Sequence, residues 1–172
     1  PTLAGLKTGS LFSCPYSSQK MIIKEIREFN QKLTQKGIRI IPVRISDKRM
    51  LVYVYRPEKL KEDFSDEKTQ IILKCKGYDC TNLSQCICRL IQKLQSDPDF
   101  PHEIGLFLGY PAEDVKGFIE NKAACSKCSG CWKVYGDEQA ARILFKKYKK
   151  CTEIYCRRWK SGVAVEQLTI TI

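Results

Sequence analysis

The 172-residue chain is 43% hydrophobic and 28% charged, and its formal net charge at pH 7 is +11. This apolar content excludes a disordered chain and predicts a single domain over residues 1–172. No apolar run approaches the roughly 20 residues that cross a bilayer, so no membrane span is expected. No signal-peptide pattern is visible either, which favours a cytoplasmic protein with reduced cysteines.

The N-terminal third predicts an extended segment followed by a helix. Residues 2–14 alternate loosely and carry two glycines, which is typical of a strand with a bend. Ser17 or Ser18 can cap a helix that runs to about Gln35, and Gly37 is a natural stop after it. One face of this helix carries an apolar stripe, formed by Ile22, Ile26, Phe29 and Leu33.

A β-hairpin is predicted next. The β-rich runs "IRIIPVRI" (38–45) and "MLVYVY" (50–55) are joined by the polar residues "SDKR". Pro42 cannot donate a hydrogen bond to a neighbouring strand, so the first strand should have an unpaired side. The second strand is apolar on both faces, which indicates that both faces are covered.

Short helices are expected in the middle of the chain. Pro57 opens a helical turn, and a second helix runs from Ser65 to about Cys75. The capping-box-like "NLSQ" (82–85) opens a third helix, which "SDPDFP" (96–101) ends. The buried side of this third helix is predicted to consist of Leu83, Ile87, Leu90, Ile91 and Leu94.

The C-terminal half predicts two strands and two helices. "EIGLFLGY" (103–110) has the composition of a short buried strand, and a helix follows Pro111. "CWKVYG" (131–136) predicts another strand, and Asp137 caps a helix to about Lys160. The predicted core face of this long helix carries Leu144, Tyr148, Cys151, Tyr155 and Trp159. Together the elements predict a mixed α/β layered domain with a mixed sheet and five or six helices.

The cysteines are the first candidate site. Cys125, Cys128 and Cys131 are spaced by two residues, and Cys156 follows in a second cysteine pair. Thiolates at this spacing can converge on zinc, and three close cysteines with a remote one are typical of an iron–sulfur cluster. Cys151 and Cys156 lie about 140° apart around a helix, so both cannot face one ion. A redox pair is the alternative for the same loop.

His102, the single histidine of the chain, is the second candidate, together with the adjacent Glu103. An imidazole beside a carboxylate can act as a general base, so an enzyme with its site here is one hypothesis. Neither a glycine-rich phosphate loop nor a G-x-S-x-G elbow occurs. The sequence therefore leaves open whether the protein is an enzyme.

Positive charge is the third candidate feature. The stretch "KKYKKCTEIYCRRWK" (146–160) interleaves seven basic residues with Tyr148, Tyr155 and Trp159. Basic and stacking side chains together can hold single-stranded nucleic acid. With the net charge of +11, they favour an anionic partner and, as an alternative function, a nucleic-acid-binding module.

Segments along nearly the whole chain resemble one bacterial family. They are "PTLAGLKTGSLF", "KGIRIIPVR", "VYVYRPEKL", "FPHEIGLFLGYPAEDVKGFIENK", "CSGCWKVYGDEQ" and "FKKYKKCTEIYCRRW". Together they look like domain-of-unknown-function family 3793, which is found mainly in anaerobes. The resemblance implies a small cytoplasmic single-domain protein and makes Cys128 the leading ligand. Our leading hypothesis from the sequence is therefore a thiol-rich protein of anaerobic metabolism that binds zinc or an iron–sulfur cluster.

Overall fold

The fold, described by a computed structural model over residues 1–96 and 99–171, is mixed α/β. Its elements are β1 (Gly9–Pro15), α1 (Gln19–Leu33), a 3₁₀ turn (Thr34–Lys36), β2 (Arg39–Ile45), β3 (Arg49–Tyr55), α2 (Pro57–Asp63), α3 (Glu67–Cys75), α4 (Leu83–Ser96), α5 (Ile104–Phe107), α6 (Ala112–Glu120), β4 (Cys128–Ser129), β5 (Lys133–Val134), α7 (Glu138–Lys160) and α8 (Val165–Leu168). The predicted mixed α/β class and the hairpin are confirmed, but every described strand pairing is antiparallel, so the sheet is not the mixed one that was predicted. The described part contains eight α-helices, more than the five or six predicted, because the single turns α5 and α8 were not predicted as helices.

The main sheet has the order β1-β3-β2, and both of its pairings are antiparallel. The central strand β3 is apolar on both faces, as the sequence predicted, and both faces are covered. Val52 and Val54 pack in a cluster with Ile26 and Leu33 of α1. Tyr53 faces the opposite side, in the larger core that α2 to α6 build. The sheet is therefore the middle of three layers.

The outer edge of β2 is closed by side chains. The amide of Asn30 on α1 donates to the Ile40 carbonyl at 2.7 Å and accepts from the Ile40 N–H at 2.8 Å. Pro42 has no N–H to offer, and the register with β3 shifts between Pro42 and Arg44. Gln95 of α4 donates to the carbonyl of Val43. These are the devices by which an edge strand avoids further pairing.

Helix boundaries follow the predicted caps closely. Ser18 accepts a hydrogen bond from the Met21 N–H at the start of α1, and Gly37 adopts a φ of +73° after the 3₁₀ turn. Asp66, rather than the predicted Ser65, caps α3 by accepting from the Thr69 N–H. Helix α4 ends at Ser96, and residues 97–98 of the predicted stop lie outside the described residues.

The strand predicted over 103–110 is wrong. Residues Ile104–Phe107 form the single turn α5, in which all four residues are buried. A short apolar run between two prolines fits a buried helical turn as well as a buried strand, since its periodicity does not distinguish them. The strand predicted over 131–136 is shorter than expected, because only Lys133–Val134 pairs, with Cys128–Ser129.

The predicted core face of α7 ends earlier than expected. Tyr148 and Cys151 are buried, but every residue from Cys156 to Lys160 is exposed, and Trp159 is 62% exposed. The prediction of Trp159 as a core residue is therefore wrong, because the buried face of α7 extends only as far as Cys151. Nor is any helix in the described ranges long and apolar enough to cross a membrane.

Candidate functional site

The cysteine hairpin, which we define as residues 121–136, connects α6 to α7. Its loop takes positive φ angles at Lys122 (48°), Ala123 (64°) and Cys125 (57°), so the backbone turns tightly before β4 begins. Two lysine side chains fasten the loop, since Lys127 donates to the Gly136 carbonyl and Lys133 to the Ala123 carbonyl. Both contacts are local, so they shape the hairpin without attaching it to the body.

Asp114 on α6 attaches the hairpin to the rest of the molecule. This carboxylate is 3% exposed, and it accepts the Nε1–H of Trp132 and the backbone N–H groups of Tyr135 and Gly136. Each of the three donor–acceptor distances is 2.7 Å. The sequence analysis assigned Asp114 only to the first turn of a helix, because nothing local in the sequence indicates donors 18 to 22 residues away.

Aromatic packing adds to this attachment. The ring of Trp132 stacks on Tyr110 at a centroid distance of 4.6 Å and meets the edge of Phe145 on α7 at 4.6 Å. Gly130 lies so close to α7 that a Cβ atom there would be 2.3 Å from the Phe145 ring. The hairpin is thus clamped between α6 and α7 by a small core of its own.

The predicted metal ligands occupy different surroundings. Cys125 and Cys131 are exposed, Cys128 is half-buried against the hairpin core, and Cys156 is exposed near the end of α7. Trp132 packs against Tyr148, and Cys156 lies about 12 Å farther along the helix axis than Tyr148. No three His, Cys, Asp or Glu side chains in the described ranges form a group that could hold a metal ion. The metal site stays a prediction.

The hairpin forms one wall of a cavity of about 310 Å³, which we call the hairpin pocket. His102 and Cys131 both line it, and the His102 ring meets Phe118 edge-on at a centroid distance of 5.1 Å. The full lining consists of Phe100, His102, Ile104, Gly105, Tyr110, Asp114, Val115, Phe118, Ser129, Cys131, Trp132 and Lys133. Two sequence-predicted residues that are 29 positions apart therefore share one concave site.

A cationic group, the Lys7 ammonium, lies over the Tyr110 ring of the pocket wall. The Lys7 ammonium stands 5.0 Å from the centroid of the Tyr110 ring, and the Tyr110 hydroxyl donates to the Cys131 carbonyl at 3.4 Å. Burial lowers the pKa of Lys7, and negative charge on Cys131 works against that lowering. The segment that carries Lys7 was not predicted to contribute to a site, since it precedes β1 and is remote in sequence.

Glu103 belongs to a different part of the structure from His102. Glu103 is buried, and its carboxylate accepts from Lys93 at 2.7 Å and from the Tyr78 hydroxyl at 3.1 Å. Burial opposes ionisation of Glu103, but the hydrogen bonds and the charge of Lys93 outweigh burial, so the pKa of Glu103 is lowered. Burial, and then the same carboxylate, raise the pKa of Tyr78. Glu103 is therefore an internal ion-pair partner and does not line the hairpin pocket.

These features define a cysteine-rich α/β protein in which a three-layer body carries a clamped cysteine hairpin over an aromatic pocket. The chain belongs to the family described as protein of unknown function DUF3793, whose model matches residues 1–169. This confirms the resemblance inferred from the sequence. No curated protein and no solved structure matches the chain.

Proposed function

We propose that this protein binds a small planar organic ligand in the hairpin pocket and presents to it the thiol of Cys131 and the imidazole of His102. The observation that carries this proposal is the composition of the pocket wall. Segments around residues 100–105, 110–118 and 129–133 converge there, and they bring a thiol and an imidazole to one aromatic cavity. Concave, mostly apolar cavities with a few polar groups are typical ligand sites.

The lining favours a planar ring with a polar or acidic substituent. Tyr110 and Trp132 form a stacked pair, and Phe118 with Phe100 adds further aromatic surface. Lys133 is the cationic residue among the lining residues, and its ammonium donates a hydrogen bond to the Ala123 carbonyl. The Asp114 carboxylate is occupied by three donors, so it does not repel an acidic group as strongly as a free carboxylate.

A fluorescence titration tests ligand binding directly. Trp159→Phe removes one of the two tryptophans and leaves Trp132, which lies in the pocket wall, as the reporter. We expect saturable quenching of Trp132 by at least one of benzoate, nicotinate and adenosine. The bound probe should also slow alkylation of Cys131 by iodoacetamide, while alkylation of the exposed Cys75 on α3 should continue unchanged.

Two serine variants provide a matched comparison. Ser129→Phe places a ring in the pocket from an exposed position, and we expect it to abolish the quenching. Ser84→Phe adds the same bulk at an exposed position on α4 outside the pocket, and it should leave quenching intact. Absence of quenching with all three probes, or quenching that Ser129→Phe leaves unchanged, would contradict the proposal.

Metal binding by the cysteine hairpin is a second candidate function. Cys128 begins β4 and Cys131 lies in the turn between β4 and β5, so both thiols belong to one tight hairpin. This is a common arrangement for two ligands of a zinc site. We expect zinc or iron to co-purify under anaerobic conditions and to be lost in Cys128→Ser but retained in Cys75→Ser. Equal metal content in both variants would exclude the hairpin as the site.

A further inference from the structure

The outward face of α7 is strongly basic, and neither candidate function above uses it. The helix spans 23 residues, of which only Ala141, Tyr148 and Cys151 are buried. Its basic residues are all exposed, and they are Arg142, Lys146, Lys147, Lys149, Lys150, Arg157, Arg158 and Lys160. The helix carries two acidic residues, Glu138 and Glu153.

These basic side chains concentrate on one face. At about 100° per residue, six of them point within roughly 60° of the direction of Lys146. We call this surface the basic face, and it consists of Arg142, Lys146, Lys149, Lys150, Arg157 and Lys160. The buried residue Tyr148 lies on the opposite side of the helix. The basic face therefore points away from the body and runs about 27 Å from Arg142 to Lys160.

Most of this charge is uncompensated within the described structure. Arg142 pairs with Glu138 at 2.7 Å, and the other five residues of the basic face form no ion pair with a described residue. Helix α1 differs, because Lys24 pairs with Glu28 and Lys32 with Glu166. A surface helix that only needs solvation usually intersperses both signs of charge. The basic face thus has the charge pattern of a surface that meets a polyanion.

We infer that α7 binds the phosphate backbone of single-stranded nucleic acid along the basic face. Trp159 adds the second observation. It points about 140° away from Lys146, but its ring is 62% exposed, because every residue of the last turn of α7 from Cys156 to Lys160 is exposed. A strand that follows the basic face to Lys160 and passes over this end of the helix can stack an unpaired base on the Trp159 ring. A duplex keeps its bases stacked, so it cannot use Trp159 in this way. This inference is independent of the hairpin pocket.

Fluorescence anisotropy with a fluorescein-labelled oligothymidylate tests the inference. Lys146→Glu/Lys150→Glu/Arg157→Glu should weaken binding at least about tenfold at 50 mM salt and reduce the slope of log K against log salt. The control is Lys20→Glu/Lys48→Glu/Lys61→Glu, which changes the net charge of +11 by the same amount at exposed positions outside α7. We expect this control to retain most of the affinity.

A stacking variant separates base contact from charge. Trp159→Ala should weaken oligothymidylate binding by about tenfold while leaving the salt slope unchanged, because stacking on a base releases no counterions. Circular dichroism confirms that each variant keeps its helix content. Equal losses in the two triple variants would show that only net charge matters and overturn the inference. Tighter binding to duplex DNA, or to phosphatidylcholine–phosphatidylglycerol vesicles, than to oligothymidylate would also overturn it.

Discussion

Asp114→Ala is expected to lower the free energy of unfolding by about 4 kcal/mol, because three buried donors lose a charged acceptor at once. A hydrogen bond to a charged group contributes about 1.5–3 kcal/mol, and a buried donor left unpaired costs a similar amount. The donors are the Trp132 indole and the N–H groups of Tyr135 and Gly136. The measurement is urea denaturation of the wild type and the variant under identical conditions.

Asp137→Ala is the matched control for this change. Asp137 is exposed and caps α7 by accepting one hydrogen bond from the Ala140 N–H, so its loss should cost only about 1 kcal/mol. Trp132→Phe removes one of the three donors, so it should cost less stability in the Asp114→Ala background than in the wild type. A double-mutant cycle measures this difference. If Asp114→Ala cost no more than Asp137→Ala, the carboxylate would not be what fastens the hairpin.

The internal pair of Lys93 and Glu103 predicts the second large effect. The two side chains are 15% and 5% exposed, and Lys93 also donates to the Lys76 carbonyl and lies over the Tyr78 ring. Lys93→Met leaves the Glu103 charge buried without its partner, which should cost about 4 kcal/mol. Lys93→Met/Glu103→Leu removes both charges and should recover most of that loss. Lys68→Met, which breaks the exposed pair with Glu113, should change stability little.

The pH dependence of stability provides a further measurement on the same pair. The folded-state pKa of Glu103 is lowered, so this group contributes stability above its unfolded-state pKa of about 4.3. That contribution is lost as pH falls through the folded-state pKa, because protonation ends the ion pair. Glu103→Gln should therefore show a shallower loss of stability below about pH 4 than the wild type. Identical acid limbs for the two proteins would contradict the assignment.

The local rules of the sequence predicted most of the body. Caps at Ser18 and Gly37, the apolar β3 and the turn before it are short-range signals, and the structure confirms them. The strand predicted over 103–110 was wrong because a segment buried on all sides is apolar at nearly every position, and such a sequence pattern does not distinguish a helix from a strand. The predicted burial of Trp159 was wrong for another reason. Helical periodicity places a residue on a face of the helix, but it does not say how far along the helix the neighbouring elements extend.

The site was only partly predictable. His102 and Cys131 were singled out for their chemistry, and the fold brings both to one cavity. Glu103 was predicted to act together with His102, but its side chain points toward α4, because adjacent residues at the start of a helix point in different directions. Asp114 and Lys7 were missed, since their contacts join segments that only the tertiary fold brings together. The basic stretch was recognised, but its outward direction depends on which side of α7 packs.

The two edges of the main sheet are not equivalent. Asn30, Pro42 and Gln95 close the β2 edge, whereas β1 carries no charged residue and pairs with β3 without a bulge. A fibre built by strand addition needs two open edges on every copy, because each molecule must both receive and offer a strand. Among the described strands of the main sheet, only β1 offers one, and only over its first residues, because Arg49 donates to the Ser13 carbonyl and Pro15 has no N–H. Edge-to-edge association through this sheet can therefore join two molecules, and it stops there.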